Sequence, residues 1–358
     1  MSEILARIRV RETHGIRRFL YPLTAYVSTA DVDPIDSRIV APDGTPVPMQ
    51  MTQWGKDQHR VDFAVSLAPF AEQVFVLTDD RSDAVLDDPL NAEIAMEKGL
   101  LWSKQRRFTM LLREDALHRD VVYDDIFFPK DLPAITCNGR RMELFASNYT
   151  PPIVAKLAAY VKAEGRYQDG GRAMTHTDIT AVKSWEMITH TLEQAKPNDE
   201  IVFTLPLAVT SPTLTCDFGV GGYVFGKLDS KATEIVWQTE FGDAPYAKWT
   251  VATAGRVDYI GEVGTTEAFV SQRWFHLIDS NKALAVAISK LPESCQSMTV
   301  RLTYEGDVSI AFKLGDRVAD QADFGVCYHF LNDVPAIAAA TNPQSILLPP
   351  VVEVLPVM

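Results

Sequence analysis

The feature that most constrains this chain is a rhythm of short apolar–polar alternations separated by turn residues, running from one end to the other. Ile4-Leu5-Ala6-Arg7-Ile8-Arg9-Val10-Arg11 sets the pattern: residues two apart share a face of a strand, so alternation marks a half-buried one. Similar bursts follow at Thr24–Ser28, Pro46–Gln53, Arg60–Leu67 and Gln73–Thr78, then at Phe108–Arg113, Arg140–Ala146, Glu200–Ala208 and onward to Val351–Val354. They recur at roughly 8–12-residue intervals, and almost nothing carries a 3.6-residue stripe, which points to sandwiches rather than βαβ units. Val334–Ala340 is expected as one helical turn.

Turn chemistry supports the same reading. Pro42-Asp43-Gly44 and Asn138-Gly139 carry the Asp-Gly and Asn-Gly pairs of tight reversals. Pro152–Tyr167 is double-sided: its Ala, Lys and Leu favour a helix, while its alternation, its neighbours and Gly165 favour a strand, the reading preferred here. The acidic, turn-rich stretch Asp79–Asn91 is the expected boundary, giving a small sandwich over residues 1–85 and a larger all-β body over 92–358.

Composition narrows the function classes. With 358 residues, 47% hydrophobic and 23% charged, the chain can bury a sizeable core. A net charge of −13 with scattered Lys and Arg argues against a nucleic-acid partner. No run approaches the ~20 apolar residues of a membrane helix, so no membrane partner is expected. Cys137, Cys216, Cys295 and Cys327 lie far apart without a CxxC pair, which fits buried free thiols. The N-terminus lacks the basic start and apolar core of a signal peptide, so a cytoplasmic protein is expected. No cofactor is implied, and no histidine spacing marks a metal site.

The order of features resembles the β-supersandwich domains of carbohydrate-active enzymes: retaining α-mannosidases, galactose-mutarotase-like proteins and exo-rhamnogalacturonan-lyase-type proteins. Gly15–Pro22 followed by Asp43–Gln50 is similar to the opening sandwich of the lyase-type family. Ala155–Gly165, Ile179 and Ile188–Leu192 resemble a supersandwich strand series. Arg273–Asp279 followed by Ala283–Ile288 resembles a hairpin of such domains. The resemblance implies an all-β fold, a small N-terminal β-sandwich plus a large antiparallel β-supersandwich, and a carbohydrate partner. The helical toroid expected beside the lyase-type β-domains has no counterpart here, so no catalytic residue is carried over.

Candidate chemistry centres on Gln272-Arg273-Trp274-Phe275-His276. On a strand, Trp274 and His276 share one face, where an indole can stack on a pyranose and an imidazole can bond its hydroxyls; a core tryptophan beside a satisfied histidine is the alternative. Tyr328 and His329 are acid/base candidates for proton abstraction next to a uronate, with Arg273 neutralising the carboxylate. Glu267 is a further acid or base candidate near His276. Trp237, Tyr246 and Trp249 flank the Gly242–Pro245 loop and are candidates for a sugar platform. Two functions stay open: a protein that binds or processes oligosaccharides or uronates, as polysaccharide lyase or glycoside hydrolase if catalytic, and a non-catalytic structural or assembly module. The sequence does not fix the oligomeric state.

Overall fold

The computed structural model describes residues 3–28, 37–79, 94–97, 100–103, 108–111, 120–123, 128–129, 134–141, 144–154, 157–167, 172–180, 185–209, 211–220, 223–241, 248–253, 256–260, 271–280, 282–332 and 341–356. Its first strands are β1 (Glu3–Arg11), β2 (Arg18–Val27), β3 (Ser37–Val40), β4 (Pro46–Val47), β5 (Met49–Gly55), β6 (Gln58–Leu67) and β7 (Glu72–Asp79). There follow β8 (Ile94–Glu97), β9 (Leu100–Ser103), β10 (Phe108–Leu111), β11 (Asp120–Tyr123), β12 (Phe128–Pro129), β13 (Ala134–Cys137), β14 (Arg140–Arg141), β15 (Leu144–Val154), β16 (Ala158–Tyr167), β17 (Arg172–Thr180), β18 (Trp185–Glu193) and β19 (Glu200–Ala208). The last are β20 (Leu214–Asp217), β21 (Tyr223–Leu228), β22 (Glu234–Glu240), β23 (Lys248–Thr253), β24 (Arg256–Ile260), β25 (Trp274–Asp279), β26 (Lys282–Lys290), β27 (Cys295–Thr303), β28 (Asp307–Leu314), β29 (Gln321–Asn332) and, after the helix Thr341–Leu347, β30 (Val351–Leu355). The fold is all-β, as the alternation requires. None of the described helices is long and apolar enough to cross a membrane.

Two large antiparallel sheets form the main body. One has eight strands in the order β14-β13-β19-β28-β27-β22-β23, with β12 on β19; the other has ten, in the order β15-β16-β17-β18-β29-β26-β25-β20-β21-β24. Phe203, Trp237, Val300, Ile310 and Phe312 from the first meet Phe275, Leu277, Val286 and Phe324 from the second in one continuous core. Within the Pro152–Tyr167 stretch, residues 152–154 close β15 and Ala158–Tyr167 form β16, with Gly165 opposite Ala173 of β17. The Asn138-Gly139 turn joins β13 to β14 with both residues at positive φ, 51° and 74°, the backbone of a two-residue hairpin loop. The helical turn expected over Val334–Ala340 lies outside the described residues.

The small sandwich stacks β30-β1-β7-β3-β4 on β2-β6-β5. Its strands come from residues 3–79, except that β30, from the C-terminal end of the chain, pairs with β1 from Arg7↔Leu355 to Arg11↔Val351. Its core of Ile8, Val10, Val61, Phe63 and Phe75 runs on into Trp274, Ala287, Cys327 and Ile346. The ten-stranded sheet is therefore covered on both faces near β25, and all six residues of that strand are buried.

A buried ion pair fastens this junction. Glu12 and Arg18 have fully buried side chains, with Oε1 3.0 Å from Nη2. Arg18 also donates to the carbonyls of Ser345, at 2.7 Å, and Leu348, which locks the C-terminal segment to β2. The Glu12 carboxylate accepts from the amides of His14, Ile16 and Phe70. Burial opposes its charge, but the Arg18 bond and these amides outweigh that and hold its pKa down to about 2, from an ordinary 4.5. A carboxylate with a depressed folded-state pKa stabilises the fold above its unfolded value and loses that contribution as pH falls through the folded one. Denaturation titrations are therefore expected to show stability declining between about pH 4.5 and about pH 2. In Glu12→Gln this decline should be smaller; an unchanged acid limb excludes the assignment.

Candidate functional site

The structure places the expected site residues apart. His276 is 0% exposed, with Nδ1 3.9 Å from Asp217 Oδ2 and its ring 5.2 Å from that of Trp274. Trp274 does share its face, as alternation demands, but the indole is buried and donates to Gln272 Oε1 at 3.0 Å. That face packs on the C-terminal helix and the small sandwich, so it is not open to a sugar. His329 is buried too. Both histidines pair with Ala285 across adjacent strands, a separation of about 10 Å at ~4.8 Å per strand. Tyr328 lies on the opposite face, against the main core. Arg273 stands just before β25, exposed, at φ 62°. Trp237 is 1% exposed and wedged edge-on between Phe218 and Phe275; it has no face to offer a ligand. The side chains of Tyr246, Trp249 and Glu267 lie outside the described residues.

The reason for this backing is local. Gly219 has φ +62°, and a Cβ there would lie 1.8 Å from the carbonyl oxygen of Trp274. Only glycine lets the backbone pass so close, so Gly219 is a packing device.

A different place has the texture of a site. Strand β6 carries Val61, Phe63, Val65 and Leu67 on the face that fills the small sandwich. Its other face, Arg60 and Asp62, is also buried, because β16 and β17 of the ten-stranded sheet lie over it. Across the small sheet, Asp62 pairs with Thr24 and Gln50, and Arg60 with Tyr26 and Thr52, so a polar row looks out from the sandwich. Facing it, Tyr160 pairs with Asp178, and Asp178 with Met187.

Arg60 is the hub. Its Nε donates to Asp62 Oδ1 at 3.1 Å, Nη1 to Asp178 Oδ1 at 3.2 Å and Nη2 to Thr24 Oγ1 at 3.4 Å. The guanidinium lies 3.3 Å from the Tyr160 ring centre and 5.3 Å from that of Trp54, within cation–π range. Burial disfavours its charge, but Asp62, Tyr160 and Asp178 raise its pKa above the ordinary value. Asp62 also accepts from Thr24, at 2.7 Å, from Gln50, at 3.4 Å, and from Tyr160 Oη. Four donors occupy the lone pairs of one carboxylate, so Asp62 is a structural anchor. Burial and the neighbouring Asp62 push the Tyr160 phenol up, so it stays a donor at neutral pH. Gln50 clips the start of β16 in place, accepting from the amides of Leu157 and Ala158 at 2.6 and 2.9 Å.

Beside this network opens a cleft of about 330 Å³, at the lower end of the range for small-molecule sites. Thr24, Arg60, Asp62 and Asp178 supply its polar wall, and Leu157, Ile346 and Pro349 are among its apolar residues. On the far side of Arg60, Trp54 and Tyr26 remain 38% and 44% exposed, with ring centres 5.8 Å apart. Trp54 also meets Tyr160 edge-on at 5.8 Å. His176 Nε2 lies 3.7 Å from Asp178 Oδ1. Exposed aromatic faces next to charged and hydroxyl groups can stack on an apolar ring face while bonding its polar rim. Sequence reasoning passed over these residues. The one available signal was a tryptophan at the end of a strand, beside the Gly55-Lys56-Asp57 reversal, where a core indole has no place.

A protein in glycosyl hydrolase family 38 from Enterococcus faecalis matches over 98% of this chain with a TM-score of 0.58 at 9% sequence identity, covering 47% of that protein. The likeness is one of fold. The α-N-acetylgalactosaminidase NagBb from Bifidobacterium bifidum, solved with GalNAc, matches over 68% of this chain and 38% of its own, with a TM-score of 0.45 and 12% identity. The chain thus spans about half or less of these structures. No family model and no curated protein matches it.

Proposed function

We propose that the protein is carbohydrate-associated and binds an oligosaccharide at the junction of its two sandwiches. The observation that carries this reading is the half-exposed Trp54–Tyr26 pair on one side of Arg60, with the cleft walled by Arg60, Asp178 and Thr24 on the other. The fold shared with a glycosyl hydrolase family 38 protein supports the sugar association. Binding fits the geometry better than catalysis. Asp62 is saturated, Tyr160 holds its proton, and His276 and His329 are buried about two strands apart. Lyase or hydrolase chemistry through His276, His329, Tyr328 and Arg273 would have to join two buried histidines about 10 Å apart to a tyrosine on the opposite face of the sheet.

A ligand of the native state raises the melting temperature by mass action, so a panel of neutral and acidic oligosaccharides tests the reading by thermal shift. At least one sugar is expected to raise Tm, and Trp54→Ala should weaken its binding by about tenfold while leaving Tm without ligand nearly unchanged, as for other aromatic anchors. Unaltered affinity in that variant excludes the platform. A second reading, a non-catalytic structural or assembly module, draws support from Phe19 and Phe70, which stand 70% and 72% exposed. A Tm that no sugar moves favours it.

A further inference from the structure

We infer that the junction cleft takes neutral or amine-bearing sugars and discriminates against uronates, an inference that rests on the sugar-binding reading above. Its charged lining residues are Arg60, Asp62 and Asp178, one cation against two carboxylates. A ligand carboxylate would need the open fork of the guanidinium for two parallel bonds. Much of that fork is taken: Asp62, Asp178 and Thr24 engage one N–H on each of its three nitrogens, three of five donors, and Tyr160 covers one face.

The two carboxylates are not equivalent. Asp62 is buried and already accepts from four partners. Asp178 has a side chain that is 30% exposed, bonds Arg60 through one oxygen and lines the cleft. It is the charge that an incoming ring meets. Hydroxyls can donate to it and an ammonium can pair with it, whereas a uronate brings a second negative charge into the same space. His176, whose Nε2 lies 3.7 Å from Asp178 Oδ1, is not among the residues that line the cleft. Arg60 is therefore not placed as the uronate anchor that the sequence suggested at Arg273.

Three methyl glycosides that differ only at C6 isolate the effect: the glucoside, the 6-amino-6-deoxyglucoside and the glucuronide, with the galacto series alongside. A primary amine of this kind stays charged at pH 7.5. Affinities measured by titration calorimetry at that pH and low salt are expected to fall in the order amine, hydroxyl, carboxylate. Each step should be on the order of fivefold, as for a partly exposed ion pair, and should shrink in 0.5 M salt, where the Debye length is only about 4 Å. Asp178→Asn should bring the three affinities together, whatever it does to their common level. The salt series on the unaltered protein gives the same answer should that variant fold poorly. A glucuronide that binds as tightly as the glucoside, or a ranking indifferent to both salt and Asp178→Asn, overturns the inference and leaves sugar binding standing. If no member of either series binds, the sugar-binding reading fails and this inference falls with it.

Discussion

Replacing Arg18 with methionine is expected to lower the free energy of unfolding by about 3–5 kcal/mol, the usual cost of removing one partner from a buried ion pair. The side chains of Arg18 and Glu12 are both 0% exposed, so the Arg18→Met protein strands a carboxylate without its counter-ion. It also removes one of two donors from the Ser345 carbonyl, which keeps Tyr21 Oη at 2.8 Å, and the Arg18 donor from that of Leu348, and takes away the cation 4.9 Å above the Tyr21 ring. Because those carbonyls belong to the segment that leads into β30, the loss should show first there. Amides of Val351–Leu355, paired with β1, should exchange with solvent faster than those of β6. The double variant Glu12→Gln/Arg18→Met removes both charges and should recover most of the loss, giving a large coupling energy in a double-mutant cycle. Denaturant titration of the four proteins measures it. A single-variant cost below about 1 kcal/mol would show that the pair does not hold the junction.

The same junction explains which parts of this protein could be read from its sequence. Alternation fixes the face of each strand, and it correctly assigned strand to Ala158–Tyr167 against a helix-forming composition and put Trp274 and His276 on a common face. It does not say what covers that face. In β25 both faces are covered, one by the eight-stranded sheet and the other by the helix Thr341–Leu347 and the small sandwich. Aromatic and polar residues that look functional in the sequence are therefore packing. In β6 the reasoning fails in the other direction. Arg60 and Asp62 alternate with Val61 and Phe63 just as solvent-facing residues would, yet partners 118 and 98 residues away bury them. Likewise, nothing near the C-terminus announces that β30 will complete a sheet begun at Glu3. Local pattern carries the elements, and the site arises where two bodies meet.

Trp237→Ala is the complementary case, because it separates a residue that looks like a sugar platform in the sequence from Trp54, the proposed one. Trp237 sits on β22 of the eight-stranded sheet. It touches Phe218, which follows β20, at 4.9 Å and 86°, and Phe275 of β25 at 5.4 Å and 83°. Both partners belong to the ten-stranded side, so one indole ties the two sheets together edge-on, a favourable arrangement for aromatic pairs. Truncating it removes a large buried side chain and leaves a cavity that rigid sheets cannot close, which costs about 3–5 kcal/mol. The expected result is a markedly lower denaturation midpoint with an unchanged dissociation constant for whichever sugar binds the folded protein. Trp54→Ala should give the converse, since that ring is 38% exposed and supports little of the core. Were Trp237→Ala instead to abolish sugar binding with the midpoint intact, the ligand would have to enter the main core, and the junction cleft would lose its claim.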